Sequence, residues 1–101
     1  MDLVASVVTY TVEASNAEAL RNRVQEYLVP AAQALPGYRG FLLLDQGDDR
    51  RLALLFFDNP DQVRQAQSAL TPIGEEHTYA LMSGPAIGSL GRVLIADGVF
   101  E

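Results

Sequence analysis

The sequence has 101 residues, enough for one domain with one modest core. Thirteen acidic residues face seven Arg and no Lys, giving a net charge of −6. This excludes the basic face that nucleic acid or an anionic membrane surface requires. There is no Cys, which excludes disulfides, thiolate nucleophiles and zinc–thiolate centres, and fits a cytoplasmic setting.

The longest apolar runs, such as Leu52–Phe57, span six residues, against the roughly 20 of a membrane helix. The start, Met1-Asp2-Leu3, lacks the basic opening of a secretory signal. No linker, charge block or repeat divides the chain, so residues 1–101 read as a single domain.

Leu3 to Val12 is rich in Val, Thr and Tyr and reads as a strand, with Val4, Val8, Tyr10 and Val12 on one face. Ser15 and Glu18 have capping-box spacing. The helix they open carries Ala17, Leu20, Val24, Tyr27, Leu28, Ala31 and Leu35 on one stripe. Pro30 is expected to kink or shorten it, and Pro36-Gly37 to stop it.

Tyr38–Gln46 and Arg50–Asp58 flank Gly47-Asp48-Asp49 and form a predicted β-hairpin. Phe41–Leu44 and Leu52–Phe57 do not alternate apolar with polar, so both faces of this sheet should be covered. Asn59-Pro60 opens a second helix with Val63, Ala66 and Leu70 inward. Thr71-Pro72 predicts a break, after which Ile73, His77 and Leu81 recur every four residues. Ser83–Gly91 reads as a Gly-rich loop, and Leu90–Ala96 as the last strand. The tail from Asp97 to Glu101 is expected to be ordered only by contacts.

Strand, helix, strand, strand, helix, strand is the order of the ferredoxin-like split β-α-β unit. The fold class is therefore α+β: a four-stranded antiparallel sheet with two helices on one face. The opposite, apolar face has no cover within the chain, which predicts a homodimer packed sheet against sheet.

Leu35-Pro36-Gly37-Tyr38-Arg39-Gly40-Phe41, followed by an apolar hairpin ending in Phe56-Phe57-Asp58-Asn59-Pro60-Asp61, resembles the antibiotic-biosynthesis-monooxygenase-like family. The resemblance spans about residues 3 to 96 and implies a dimeric α+β barrel. It also implies a range of activities: cofactor-independent oxygenases of polyketide quinols, haem-degrading enzymes and quinol oxygenases. Many members end the third strand with Trp. Here Phe56-Phe57-Asp58 stands at that place and the chain has no Trp, which counts against the haem-degrading branch.

Three residues stand out as catalytic candidates. His77 is the sole His and titrates near neutrality without help. It could serve as a general base, or simply be a hydrogen-bonded His at a helix–sheet seam or an exposed one beside Glu75 and Glu76. The haem-degrading branch also places a ligand His on its second helix, but no surrounding motif matches, and its first-strand Asn has no counterpart here. Tyr10 lies mid-strand, with Thr9 on the other face. Arg39, at the start of the second strand, could hold an enolate oxygen or pair with a carboxylate, as could Arg92.

Asp45, Asp48 and Asp49 lack calcium-loop spacing, and one His without Cys leaves no metal site. The Gly84–Gly91 segment has no Lys and enters a strand, so it is no phosphate loop. Two functional readings follow. One is a cofactor-free monooxygenase acting on a small aromatic or quinol-type substrate. The other is a non-catalytic, small-ligand-binding or stress-related dimeric barrel.

Overall fold

The computed structural model describes residues 2–99. Four strands, β1 (Val4–Thr11), β2 (Gly40–Asp45), β3 (Arg50–Phe57) and β4 (Ile87–Arg92), form one sheet in the order β2-β3-β1-β4, all antiparallel. Strands β1 and β3 take the two central places, where both edges are hydrogen-bonded. The helices lie on one face, as the element order predicts.

The inward face follows from the register. Val4, Ser6, Val8 and Tyr10 of β1 pair with Phe57, Leu55, Ala53 and Arg51 of β3. Phe57, Val63 and Val12 are fully buried, and Val4, Leu20 and Ala66 nearly so. The outward residues are also apolar, but Leu42, Leu44 and Ile87 are exposed.

The first helical run covers 14–33 in three pieces: α1 (Ala14–Arg23), a π-helical turn (Val24–Leu28) and α2 (Val29–Gln33). The Val29 N–H donates back to the Val24 carbonyl, one residue further than in an α-helix. Pro30 falls just past this widened turn, in the first turn of α2, where its missing N–H is tolerated. So Pro30 neither ends the run nor breaks it; the extra residue shifts the inward stripe, and Ala32 rather than Ala31 is fully buried.

The capping box predicted at Ser15 and Glu18 does not form. Glu13 is the N-cap and makes no side-chain cap bond. Val12 is fully buried and its N–H donates to the Asp49 carbonyl at 2.9 Å, so the chain turns at once and the helix starts ahead of Ser15. A side-chain cap is built at the other helix instead. Asn59 Oδ1 accepts from the Gln62 N–H at 2.9 Å, and Gln62 Oε1 accepts from the Asp58 N–H at 3.0 Å. The Gln62 carboxamide also lies over Gly37, whose φ of 77° ends the preceding connection; any Cβ there would collide with it.

The second helix, α3 (Pro60–His77), is unbroken, with Pro72 inside it. Its N-terminal half is held by the Asn59 cap, and the Thr71 hydroxyl donates to the Gln67 carbonyl beside the missing bond at 2.6 Å. The inward line runs Val63, Ala66, Leu70, Gly74, rather than through Ile73 and His77. A 3₁₀ turn, Tyr79–Leu81, follows.

The last strand also differs from its predicted span. The Gly-rich segment does not stay a loop: Ile87–Arg92 pairs with β1 along its length, and the strand ends before Val93. Ser83 fixes the approach, donating its N–H to the Thr11 carbonyl at 2.9 Å and its hydroxyl to Thr11 Oγ1 at 2.9 Å. The expectation for the tail falls partly on residues 100 and 101, which lie outside the described residues.

Candidate functional site

Between the sheet and the helices lies a cavity of about 310 Å³. Its floor is the inward face of β1, β3 and β4, from Ser6 and Val8 to Leu55 and Gly88. Its roof is the π-helical turn, through Val24 and Leu28, and the middle of α3, through Ala66, Gln67, Leu70 and Gly74. Thr78, Tyr79 and Ala86 also line it. Small residues make the space: Ala53, Ala66, Gly74 and Gly88 leave room where larger side chains would meet. A Cβ added at Gly88 would touch nothing within 4 Å.

Of the three sequence candidates, the structure brings only Tyr10 to this cavity. Tyr10 also lines a second, charged hollow with Glu18, Arg21, Asp45 and Arg51, so its ring is the wall between the two. Burial raises the Tyr10 phenol above its ordinary 10.0, and the Arg51 guanidinium opposes this more weakly. Tyr10 is therefore a neutral phenol at physiological pH. Arg51 itself pairs with Asp45 at 2.9 Å.

His77 does not line the cavity and sits at the seam between α3 and the first helical run. Its ring stacks on Tyr27, with centroids 3.7 Å apart and planes 2° from parallel, and Nε2 sits 3.5 Å from a Glu76 oxygen. Arg23 Nη1 donates to the His77 carbonyl at 3.0 Å, closing the same seam. A ring covered on one face by Tyr27 and facing Glu76 does not fit a haem ligand. Arg39 is at the sheet edge, where its Nε donates to Asp58 Oδ1 at 2.6 Å; it does not line the cavity. Arg92 at the end of β4 is also outside it. Among the described residues, no three His, Cys, Asp or Glu side chains gather as metal ligands do.

Gln67, Ser6, Thr71 and Thr78 are polar wall residues that sequence reasoning missed. Ser6 was hidden in an apolar strand, and Thr78 fell within the predicted second helical piece but off its line of Ile73, His77 and Leu81, whereas the structure makes it the C-cap of α3. The signal for Gln67 was present: it lies one residue past Ala66 and three before Leu70, at the margin of the inward stripe. Gln67 Nε2 is 3.4 Å from Ser6 Oγ and 3.3 Å from the Ser89 carbonyl. The Thr78 hydroxyl donates to the Gly74 carbonyl at 2.7 Å. The wall can thus hydrogen-bond a ligand oxygen, and none of its described residues is Asp, Glu, Arg or His.

No protein-family model and no curated protein matches the sequence. Solved structures do match the fold. A protein of unknown function from Nitrosomonas europaea superposes with a TM-score of 0.80 at 17% identity, over 96% of this chain and 94% of its own. A proposed antibiotic biosynthesis monooxygenase from the same organism gives 0.76 at 16%, over 95% and 94%. SnoaB, a cofactor-independent oxygenase from Streptomyces nogalater, gives 0.75 at 20%, over 95% and 97%. The resemblance to antibiotic-biosynthesis-monooxygenase-like proteins is borne out in the architecture, a ferredoxin-like α+β fold. At these identities it is the fold that is shared.

Proposed function

We propose that this protein is a cofactor-independent monooxygenase that takes a small aromatic, quinol-type substrate into the cavity between sheet and helices. The observation that carries this reading is the cavity itself, apolar on most sides and edged by neutral hydrogen-bonding groups. Its likeness in fold to a cofactor-independent oxygenase supports it. A phenol with a free para C–H can react with O₂ directly: one oxygen becomes the para carbonyl of a quinone, the other leaves as water, and the ring supplies four electrons. The slow part is electron transfer from an electron-rich ring. Donors aimed at the phenolic oxygen stabilise the negative charge that develops there, and an apolar wall strengthens that interaction.

The test is oxygen uptake by metal-stripped protein with a panel of phenols that keep a free para C–H, 1-naphthol among them. The expected result is one O₂ consumed per quinone formed, with one labelled oxygen atom retained from labelled O₂. Binding of the same compounds without oxygen uptake would instead support a non-catalytic ligand-binding protein. One observation favours that second reading: the wall holds no general base, since His77 lies elsewhere.

We further propose that the working form is a homodimer. On the face of the sheet away from the helices, Leu42 is 38% exposed, Leu44 43% and Ile87 63%, and just past β4 Leu94 and Ile95 are almost fully exposed. A second copy, sheet to sheet, is the simplest self-complementary cover.

A further inference from the structure

None of the described residues lining the cavity is Asp, Glu, Arg or His. Two of its hydroxyls are already committed, Thr71 to the Gln67 carbonyl and Thr78 to the Gly74 carbonyl. Gln67 is different. Its amide reaches from α3 to both β1 and β4, but at 3.4 and 3.3 Å from its acceptors, near the long limit of a hydrogen bond. Its partner Ser6 is buried on the inward face of β1. Bonds this long are readily exchanged for a shorter one to a ligand.

We propose that Gln67, together with Ser6, is the polar anchor of the cavity, and that it selects an uncharged ligand presenting a carbonyl or phenolic oxygen. The inference rests on the cavity being the ligand site, as argued above, and adds the charge state and the recognising residue. The amide N–H donates to the ligand oxygen, while Gln67 Oε1 or Ser6 Oγ accepts from a phenolic O–H. An anion would leave water for a wall with no counter-charge, a large desolvation cost. The net charge of −6 opposes its approach as well. A ligand without oxygen would fill the space but leave the anchor unused.

The experiment is calorimetric binding of three probes on one ring system: naphthalene, 2-naphthol and naphthalene-2-sulfonate. It uses the full chain at neutral pH. 2-Naphthol is expected to bind most tightly, and the sulfonate at least about tenfold more weakly. Gln67→Met keeps the shape and removes both hydrogen-bonding groups; it should weaken 2-naphthol about five- to tenfold and leave naphthalene unchanged. Ser6→Ala is the second probe of the same anchor, with a smaller loss in the same direction. Gly88→Leu, which grows into open space, should block all binding.

Sulfonate binding as tight as 2-naphthol overturns the inference. So does 2-naphthol affinity that is indifferent to both Gln67→Met and Ser6→Ala. If Gly88→Leu changes nothing, or if 2-naphthol does not bind the wild type, the cavity is not the ligand site and the inference falls with that reading. Oxygen uptake tests the oxygenase reading separately, so a bound but unreacted naphthol leaves the anchor standing.

Discussion

Tyr10 shows how one side chain can serve both fold and site. Its ring divides the apolar cavity from the charged hollow, and burial disfavours its ionised form. A phenol whose folded pKa is raised contributes stability that is complete below the unfolded value. That stability is lost as pH rises through the folded value. Unfolding free energies measured from about pH 8 to about pH 11 should therefore fall more steeply for the wild type than for Tyr10→Phe. Parallel curves would mean that Tyr10 is not held neutral by burial. His77 makes the opposite case, a chemically attractive residue placed outside the cavity. His77→Ala removes the stack on Tyr27 and should cost about 1 kcal/mol in urea unfolding. It should leave 2-naphthol affinity within about twofold, because no ring atom of His77 lines the cavity.

Among the elements, the two helical prolines separate local cost from local accommodation. Pro72 sits inside α3, where it removes a hydrogen bond and crowds the preceding turn. Pro72→Ala should raise stability by about 1–3 kcal/mol, read from the urea midpoint at constant slope. Pro30 follows a π-helical turn that already widens the backbone, and occupies the first turn of α2. Pro30→Ala should change stability by less than about 1 kcal/mol. An equal gain from both would mean that the π turn does not relieve Pro30. The π turn also has a functional consequence, since it supplies Val24 and Leu28 to the cavity roof.

For the whole molecule, the decisive feature is the unequal covering of the sheet. The helices seal one face around Phe57, Val63 and Ala66, while the other presents Leu42, Leu44 and Ile87. Native mass spectrometry at micromolar concentration should give twice the chain mass for the wild type. Leu44→Glu, which places a charge in that face, should give the monomer with an unchanged helical spectrum. A wild-type monomer would remove the dimer and leave the cavity, which lies on the opposite face of the sheet.

The sequence by itself determined the element order, the apolar character of both sheet faces and the strong start at Asn59-Pro60. These are set by composition, period and cap chemistry, which act over a few residues. It also put Tyr10 and Thr9 on opposite faces of the first strand, because alternation along a strand is local; which of the two faces the helices was decided by packing. Only the tertiary structure decided the rest. Val12, pinned by burial and by the Asp49 carbonyl, overrode the capping signal at Ser15. Pairing with β1 turned the Gly-rich segment into β4, since backbone hydrogen bonds to a central strand outweigh weak strand propensity. The contents of the cavity wall were fixed in the same way. Gln67 and Ser6 are 61 residues apart and meet only because α3 crosses β1. Local pattern cannot register such a meeting, whereas packing creates it.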